Sequence, residues 1–121
     1  MLSRLISFLT DTSYEDLPPE VIKQAKRCII DWTGVALAGA AHPTVSIMRR
    51  TVDTLGGNRQ ASIFGTPIKT SVTHAAMVNG TMSHVLDFDD THLEALMHPS
   101  APLVPALFAY GEWKGTNGRD F

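Results

Sequence analysis

The chain has a single cysteine, Cys28, so no disulfide can form within it. A lone thiol fits a reducing compartment better than an oxidising one. Long apolar runs are missing as well. Charge or proline interrupts each of them well short of the ~20 residues that a membrane-spanning helix needs, so no membrane span is expected. After Met1-Leu2-Ser3-Arg4-Leu5, the acids Asp11 and Glu15 arrive before the apolar core of a secretory signal is built. A cytoplasmic location is the resulting expectation. Charged residues make up 18% of the chain, against about 25% in typical globular domains. The formal net charge of −2 and the lack of a basic stripe argue against a nucleic-acid partner. The most pointed absence is local: no Lys or Arg occurs between Lys69 and Lys114. Because the charge deficit concentrates there, the chain is expected to pack against more protein than it contains, as a subunit or as part of a larger polypeptide.

What the sequence does hold is helical periodicity. At 121 residues it suits one domain. Leu2, Leu5, Ile6 and Leu9 have the spacing of a short first helix. Pro18-Pro19-Glu20 is a helix start, and Ile22, Ala25, Ile29, Ile30, Thr33 and Ala36 mark one face of a long helix ending near Gly39. The small residues Ala36 to Ala41 would permit close helix contact. His42-Pro43-Thr44 leads into a helix with the stripe Val45, Met48, Val52 and Leu55, stopped by Gly56-Gly57. His42 itself reads as a turn residue. Ala61 to Phe64 is a short extended piece. Thr70 or Ser71 is placed to cap the next helix, with Ala75, Ala76, Val78, Met82 and Val85 inward. Ser100 begins the last helix, which runs through Leu103, Leu107 and Tyr110 to Trp113 and stops at Gly115. Asn117 would cap a further helix. The fold class read from this pattern is all-α, a helical-bundle segment.

The chemistry concentrates between the last two helices. His84-Val85-Leu86-Asp87-Phe88-Asp89-Asp90-Thr91-His92 is followed by His98-Pro99-Ser100, so that, counting Glu94, four carboxylates and three imidazoles fall within fifteen residues. With no cation nearby, such a run is expected in a largely buried part of a protein. The acids repel one another unless hydrogen bonds, imidazolium or a shared proton relieve them. Histidine suits acid–base work because it titrates near neutral pH. His98 has the most restricted backbone, directly before Pro99. A carboxylate substrate could sit between His98 and the amides that follow Ser100. His84 and Asp87 would share a face if their helix continues. Asp89 and Asp90 read as loop-shaping or capping residues. His84 reads equally well as a core histidine, and His74 and His92 as structural. His84, Asp87 and His92 are legitimate ligands for a divalent ion, but their spacing matches no specific metal motif, so no metal is expected. A metal-dependent hydrolase and a non-catalytic helical interaction module stay open as alternatives.

These residues carry a resemblance. Asn79-Gly80, His84 to Thr91 with its D-F-D-D-T core, His98-Pro99-Ser100 and Pro105-Ala106-Leu107 resemble the signature of the MmgE/PrpD family. Ser13 to Val21 and Asp31 to Gly39 are similar to the family's opening helices. The family includes 2-methylcitrate dehydratase, cis-aconitate decarboxylase and iminodisuccinate epimerase. The resemblance implies that residues 1–121 are the N-terminal portion of a large helical domain, without the smaller lid domain, in proteins that are usually homodimers. It implies a lyase, with 2-methylcitrate dehydration expected first and cis-aconitate decarboxylation or iminodisuccinate epimerisation as alternatives. His98 and Asp87 would be catalytic, and Thr91 and His84 would bind a small polycarboxylate. No metal or other cofactor is implied. The chain alone is expected to be inactive, because the cations that a polyanion needs lie outside it.

Overall fold

A computed structural model describes residues 2–121. Five helices dominate: α1 (Leu2–Asp11), α2 (Pro19–Gly39), α3 (Pro43–Leu55), α4 (Val72–His84) and α5 (Ser100–Lys114), with a 3₁₀ turn at Tyr14–Asp16. Two short strands, β1 (Ala61–Ser62) and β2 (Lys69–Thr70), pair antiparallel between α3 and α4. The all-α expectation therefore holds, with a small ribbon added. Ala61 was read as extended from the sequence, but its partner at Lys69–Thr70 was not. The second strand is two residues long, too short to show any alternation. None of the described helices is long and apolar enough to cross a membrane.

The core forms where α2, α4 and α5 meet over α3. Trp32, Ala36, Val45, Val52, Ile63, Val78, Met82 and Val104 pack together there. Trp32 is the centrepiece, with Phe64 edge-on at 5.0 Å and Phe108 stacked at 5.6 Å between ring centroids. Aromatic pairs in these geometries contribute beyond the area they bury. Only the C-terminal half of α2 is buried, through Trp32, Val35, Ala36 and Gly39. Leu55, read as part of the inward stripe of α3, is exposed.

Close helix contact depends on small residues. Gly39 ends α2 against α4, where a Cβ would lie 2.1 Å from the carbonyl oxygen of Met82. Gly80 faces the carbonyl of Ala101 on α5. Pro105, one turn beyond Ala101, has no N–H to offer that carbonyl. The buried face of α5 is consequently Ser100, Val104, Pro105, Ala109 and Gly111. Leu103, Leu107, Tyr110 and Trp113, the residues that trace the helix in the sequence, are exposed. The reason is compositional. This helix is apolar on all sides, so periodicity cannot choose a face, and the smaller side chains let α4 approach. The apolar stripe of α1 is exposed too, through Leu2, Leu5, Ile6 and Leu9.

Caps explain several boundaries. Ser71 caps α4 by accepting from the N–H of His74. His42 is more than a turn residue: its Nδ1 accepts from the N–H of Thr44 at 3.2 Å and caps α3. Asn79 is buried and pins the ribbon to α4. Its Oδ1 accepts from the N–H of Phe64 at 2.9 Å, and its Nδ2 donates to the carbonyl of Ser62 at 3.0 Å. Asn117 accepts from the amides of Arg119 and Asp120, so its side chain closes a turn; no helix follows it among the described residues.

Candidate functional site

The loop between α4 and α5 gathers the acids and imidazoles into one cluster. α4 stops at His84, and the N–H of Asp87 turns back to the His84 carbonyl at 2.9 Å. The helix does not continue, so His84 and Asp87 do not share a helix face. Asp87 adopts φ 51°, a left-handed conformation that Asp tolerates better than most residues. Its side chain points outward. Asp89 points inward, and Asp90 points to α5. The three acids separate in this way, which relieves their repulsion without a Lys or Arg.

Asp90 accepts from both the N–H and the hydroxyl of Ser100, at 3.1 and 2.7 Å. Ser100 is therefore not the cap of α5. It stands inside the first turn, and Asp90 satisfies its amide from the loop. The Ser100 amide, next to the amides expected to seat a substrate carboxylate, is thus taken by a protein carboxylate. A cap for the following segment was one of the roles open to Asp90 in the sequence.

Asp89 is the only acid of the cluster buried here, with a side chain just 1% exposed. Nδ1 of His84 lies 3.0 Å from its Oδ2, and Nδ1 of His98 lies 3.5 Å from its Oδ1. Nδ1 of His98 is also 3.1 Å from the carbonyl oxygen of Asp90 and 3.4 Å from the hydroxyl of Thr91. The nearest of these neighbours, the Asp90 carbonyl, accepts and cannot donate, so Nδ1 of His98 carries the ring proton. Nε2 is left on the other side, 3.7 Å from Oδ1 of Asp87. The two imidazole centroids are 5.1 Å apart.

The structure thus brings His84, Asp87, Thr91 and His98 together. It adds Asp89, whose place at the centre was missed. No signal in one sequence separates an Asp that anchors two imidazoles from one that shapes a loop. His92 stands apart, accepting from the N–H of Ala95 and bridging Met97. His74 lies against the Gly56 carbonyl. The site is open, contrary to the buried setting expected. His84 and Asp87 have side chains 55% and 83% exposed, because no other element of this chain covers the loop. A groove of about 570 Å³ between α4 and α5 begins at His84 and continues along Met77, Gly80, Pro102 and Pro105. His84, Asp87, Asp89 and His98 each offer a ligand atom within 4.8 Å of the others, so these four could hold a divalent ion. His92, named among the candidate ligands, lies outside this set.

The MmgE/PrpD N-terminal domain matches residues 3–121. The chain belongs to the MmgE/PrpD family. Among MmgE/PrpD relatives, human cis-aconitate decarboxylase is 35% identical over 97 residues, covering 79% of this chain and 20% of its own length. The cis-aconitate decarboxylase-like protein oryM of Aspergillus oryzae (strain ATCC 42149 / RIB 40) is 27% identical over 117 residues, covering 97% of this chain and 24% of its own. Cis-aconitate decarboxylase of Aspergillus terreus is 26% identical over 117 residues, with the same coverage of 97% and 24%. The chain thus spans about a quarter or less of these MmgE/PrpD relatives.

Proposed function

We propose that this chain forms one wall of the active site of a proton-transferring lyase that acts on a small polycarboxylate. The observation that supports this best is the setting of His98. Its Nδ1 is held by acceptors, and its Nε2 faces the open side next to Asp87. In this reading Nε2 of His98 moves the proton, Asp87 orients the reacting partner, Thr91 donates its hydroxyl to a substrate carboxylate, and His84 does so from Nε2 when its ring takes up a proton.

Two reactions suit one such proton carrier. In decarboxylation the bond to a carboxylate breaks, CO₂ leaves, and the electron pair left on carbon takes a proton from the imidazolium. In dehydration the ring takes the α-proton, and the C–H electron pair forms the double bond. The breaking C–O bond releases the hydroxyl, which takes a proton from the imidazolium so formed and leaves as water. We put decarboxylation of a cis-aconitate-like acid first, because the relatives are named for it. Dehydration of 2-methylcitrate is the second reading, and it needs the same groups. A tricarboxylate brings charge that this wall cannot balance. Among the described residues, the only basic groups paired with the site acids are the imidazoles. Further cations must come from outside these residues, and the chain alone is expected to be inactive.

The test is a chimera in which this chain replaces the matched segment of human cis-aconitate decarboxylase. Expected is decarboxylation that His98→Ala lowers by roughly a hundredfold or more. Activity should survive exhaustive chelation. A chimera that works only with a stoichiometric divalent ion would move the cluster to the metal-hydrolase reading. Turnover untouched by His98→Ala would end the proton-transfer reading.

A further inference from the structure

We propose that Asp89 is the positioning residue of this site, holding the rings of His84 and His98 in one tautomer and one orientation so that both present Nε2 outward. The inference rests on the reading of His98 as proton carrier, and it extends that reading to a residue the sequence placed among the loop-shaping ones.

The argument starts from burial. A carboxylate with a side chain 1% exposed needs partners that favour its charge. Among the described residues, no Lys, Arg, hydroxyl or backbone amide donates to the Asp89 carboxylate; the Thr91 hydroxyl reaches only the Asp89 backbone carbonyl, at 3.5 Å. The carboxylate's hydrogen-bond partner is Nδ1 of His84, at 3.2 and 3.0 Å from the two oxygens, and Nδ1 of His98 adds a charge-favouring contact at 3.5 Å while bonding the Asp90 carbonyl at 3.1 Å. A residue that only shaped the loop would spend its oxygens on backbone amides or hydroxyls, as Asp90 does on Ser100. Asp89 spends them on imidazoles.

An ionised carboxylate only accepts, so each Nδ1 turned to it must carry hydrogen. The hydrogen bond at one ring nitrogen fixes what the other can do. With Nδ1 protonated on both rings, both Nε2 atoms are left as lone pairs. That of His98 lies beside Asp87 on the exposed side of the cluster. His84, at the end of α4, and His98, at the entry to α5, come from different elements. Among the described residues, Asp89 is the side chain whose carboxylate lies within 3.5 Å of both rings, which stand 5.1 Å apart.

The experiment is long-range ¹H–¹⁵N NMR of the imidazoles in this chain, without substrate, at a pH where the rings are neutral. His84 and His98 are expected as Nδ1–H tautomers with bare Nε2, while His74 and His92 serve as internal references. In Asp89→Asn, a near-isosteric change, the His84 and His98 resonances should move towards a mixture of tautomers. Finding the Nε2–H tautomer at His98 in the unsubstituted chain would overturn the proposal without any variant. So would Asp89→Asn spectra with both tautomers unchanged, since the Asp90 carbonyl alone would then hold the ring. The spectrum is read without turnover. An inactive chimera with the expected tautomers would fault the lyase reading and leave the role of Asp89 standing.

Discussion

Asp90 reaches ten positions along the chain to Ser100, taking its N–H at 3.1 Å and its hydroxyl at 2.7 Å. The same residue offers its backbone carbonyl to Nδ1 of His98 at 3.1 Å. One aspartate therefore ties the start of α5 to the imidazole of the site. Asp90→Ala removes an N-terminal cap and strands a buried serine hydroxyl. The expected cost is about 1–3 kcal/mol, with faster hydrogen exchange at the Ser100 amide. Asp90→Asn should recover part of it, because Asn also caps. Urea unfolding of the two variants checks this, and equal stability of Asp90→Ala and the parent chain would show the pair to be dispensable.

Gly39 has no room for a side chain. A Cβ at this position would sit 2.1 Å from the Met82 carbonyl oxygen and 3.0 Å from a methyl of Val85. The nearest neighbour is backbone in the last turn of the packed helix α4, so it cannot rotate away as a side chain could. Gly39→Ala must therefore push α2 and α4 apart beneath Met82 and His84. Overpacking of this kind costs about 1–3 kcal/mol. Gly34, on the same helix with no atom within 4 Å of its would-be Cβ, is the control. Gly34→Ala should raise stability by up to about 1 kcal/mol through helix propensity. Thermal melts of the pair should therefore move in opposite directions.

Glu112 fastens α5 to both strands. Its carboxylate meets Lys69 at 2.7 Å and accepts from the N–H and hydroxyl of Ser62 at 2.6 and 2.7 Å. Burial pulls its pKa upward, but the Lys69 ammonium and the Ser62 donors outweigh that and hold it below the ordinary 4.5. A folded pKa below the unfolded one means that the unfolded chain binds more protons in acid. The stabilisation is complete above the ordinary value and fades as the pH falls through the folded one. Glu112→Gln should be less stable than the parent by about 1 kcal/mol at neutral pH, since the ion pair is partly exposed. The gap should close in acid, below both values. Denaturant midpoints measured across that range test the sign, and a gap that widened in acid would contradict it.

The helices were legible because their punctuation is local. Pro19, Pro43, Ser71, Gly56 and Gly115 mark their ends by backbone chemistry that needs no tertiary partner. The buried face of α5 was not legible, because Leu103 and Val104 are equally apolar and only the approach of Gly80 decides between them. The members of the site were legible as a cluster, and their division of labour was not. Asp87, Asp89 and Asp90 are the same residue type within four positions. One points out at φ 51°, one is buried under two imidazoles and one caps a helix. That assignment depends on where α4 stops and on the His98 ring thirteen or fewer positions away, which periodicity does not report. The MmgE/PrpD resemblance picks out Asp87, Thr91 and His98, and passes over Asp89.

Asp87 allows chemistry to be separated from folding. Its side chain is 83% exposed, and its nearest charged partner is Nε2 of His98 at 3.7 Å. Its backbone is left-handed, where any side chain is strained and glycine is not. Asp87→Gly therefore removes the carboxylate while relieving the backbone. The relief is offset by the greater freedom of glycine in the unfolded chain, so stability should stay within about 1 kcal/mol of the parent. Asp87→Val would deliver both losses at once and could not tell them apart. In the chimera, Asp87→Gly is expected to lower turnover at least roughly tenfold, because the group beside Nε2 is gone while the fold is intact. Turnover equal to the parent's would remove Asp87 from the chemistry and leave His98 to act with Thr91 and His84 alone.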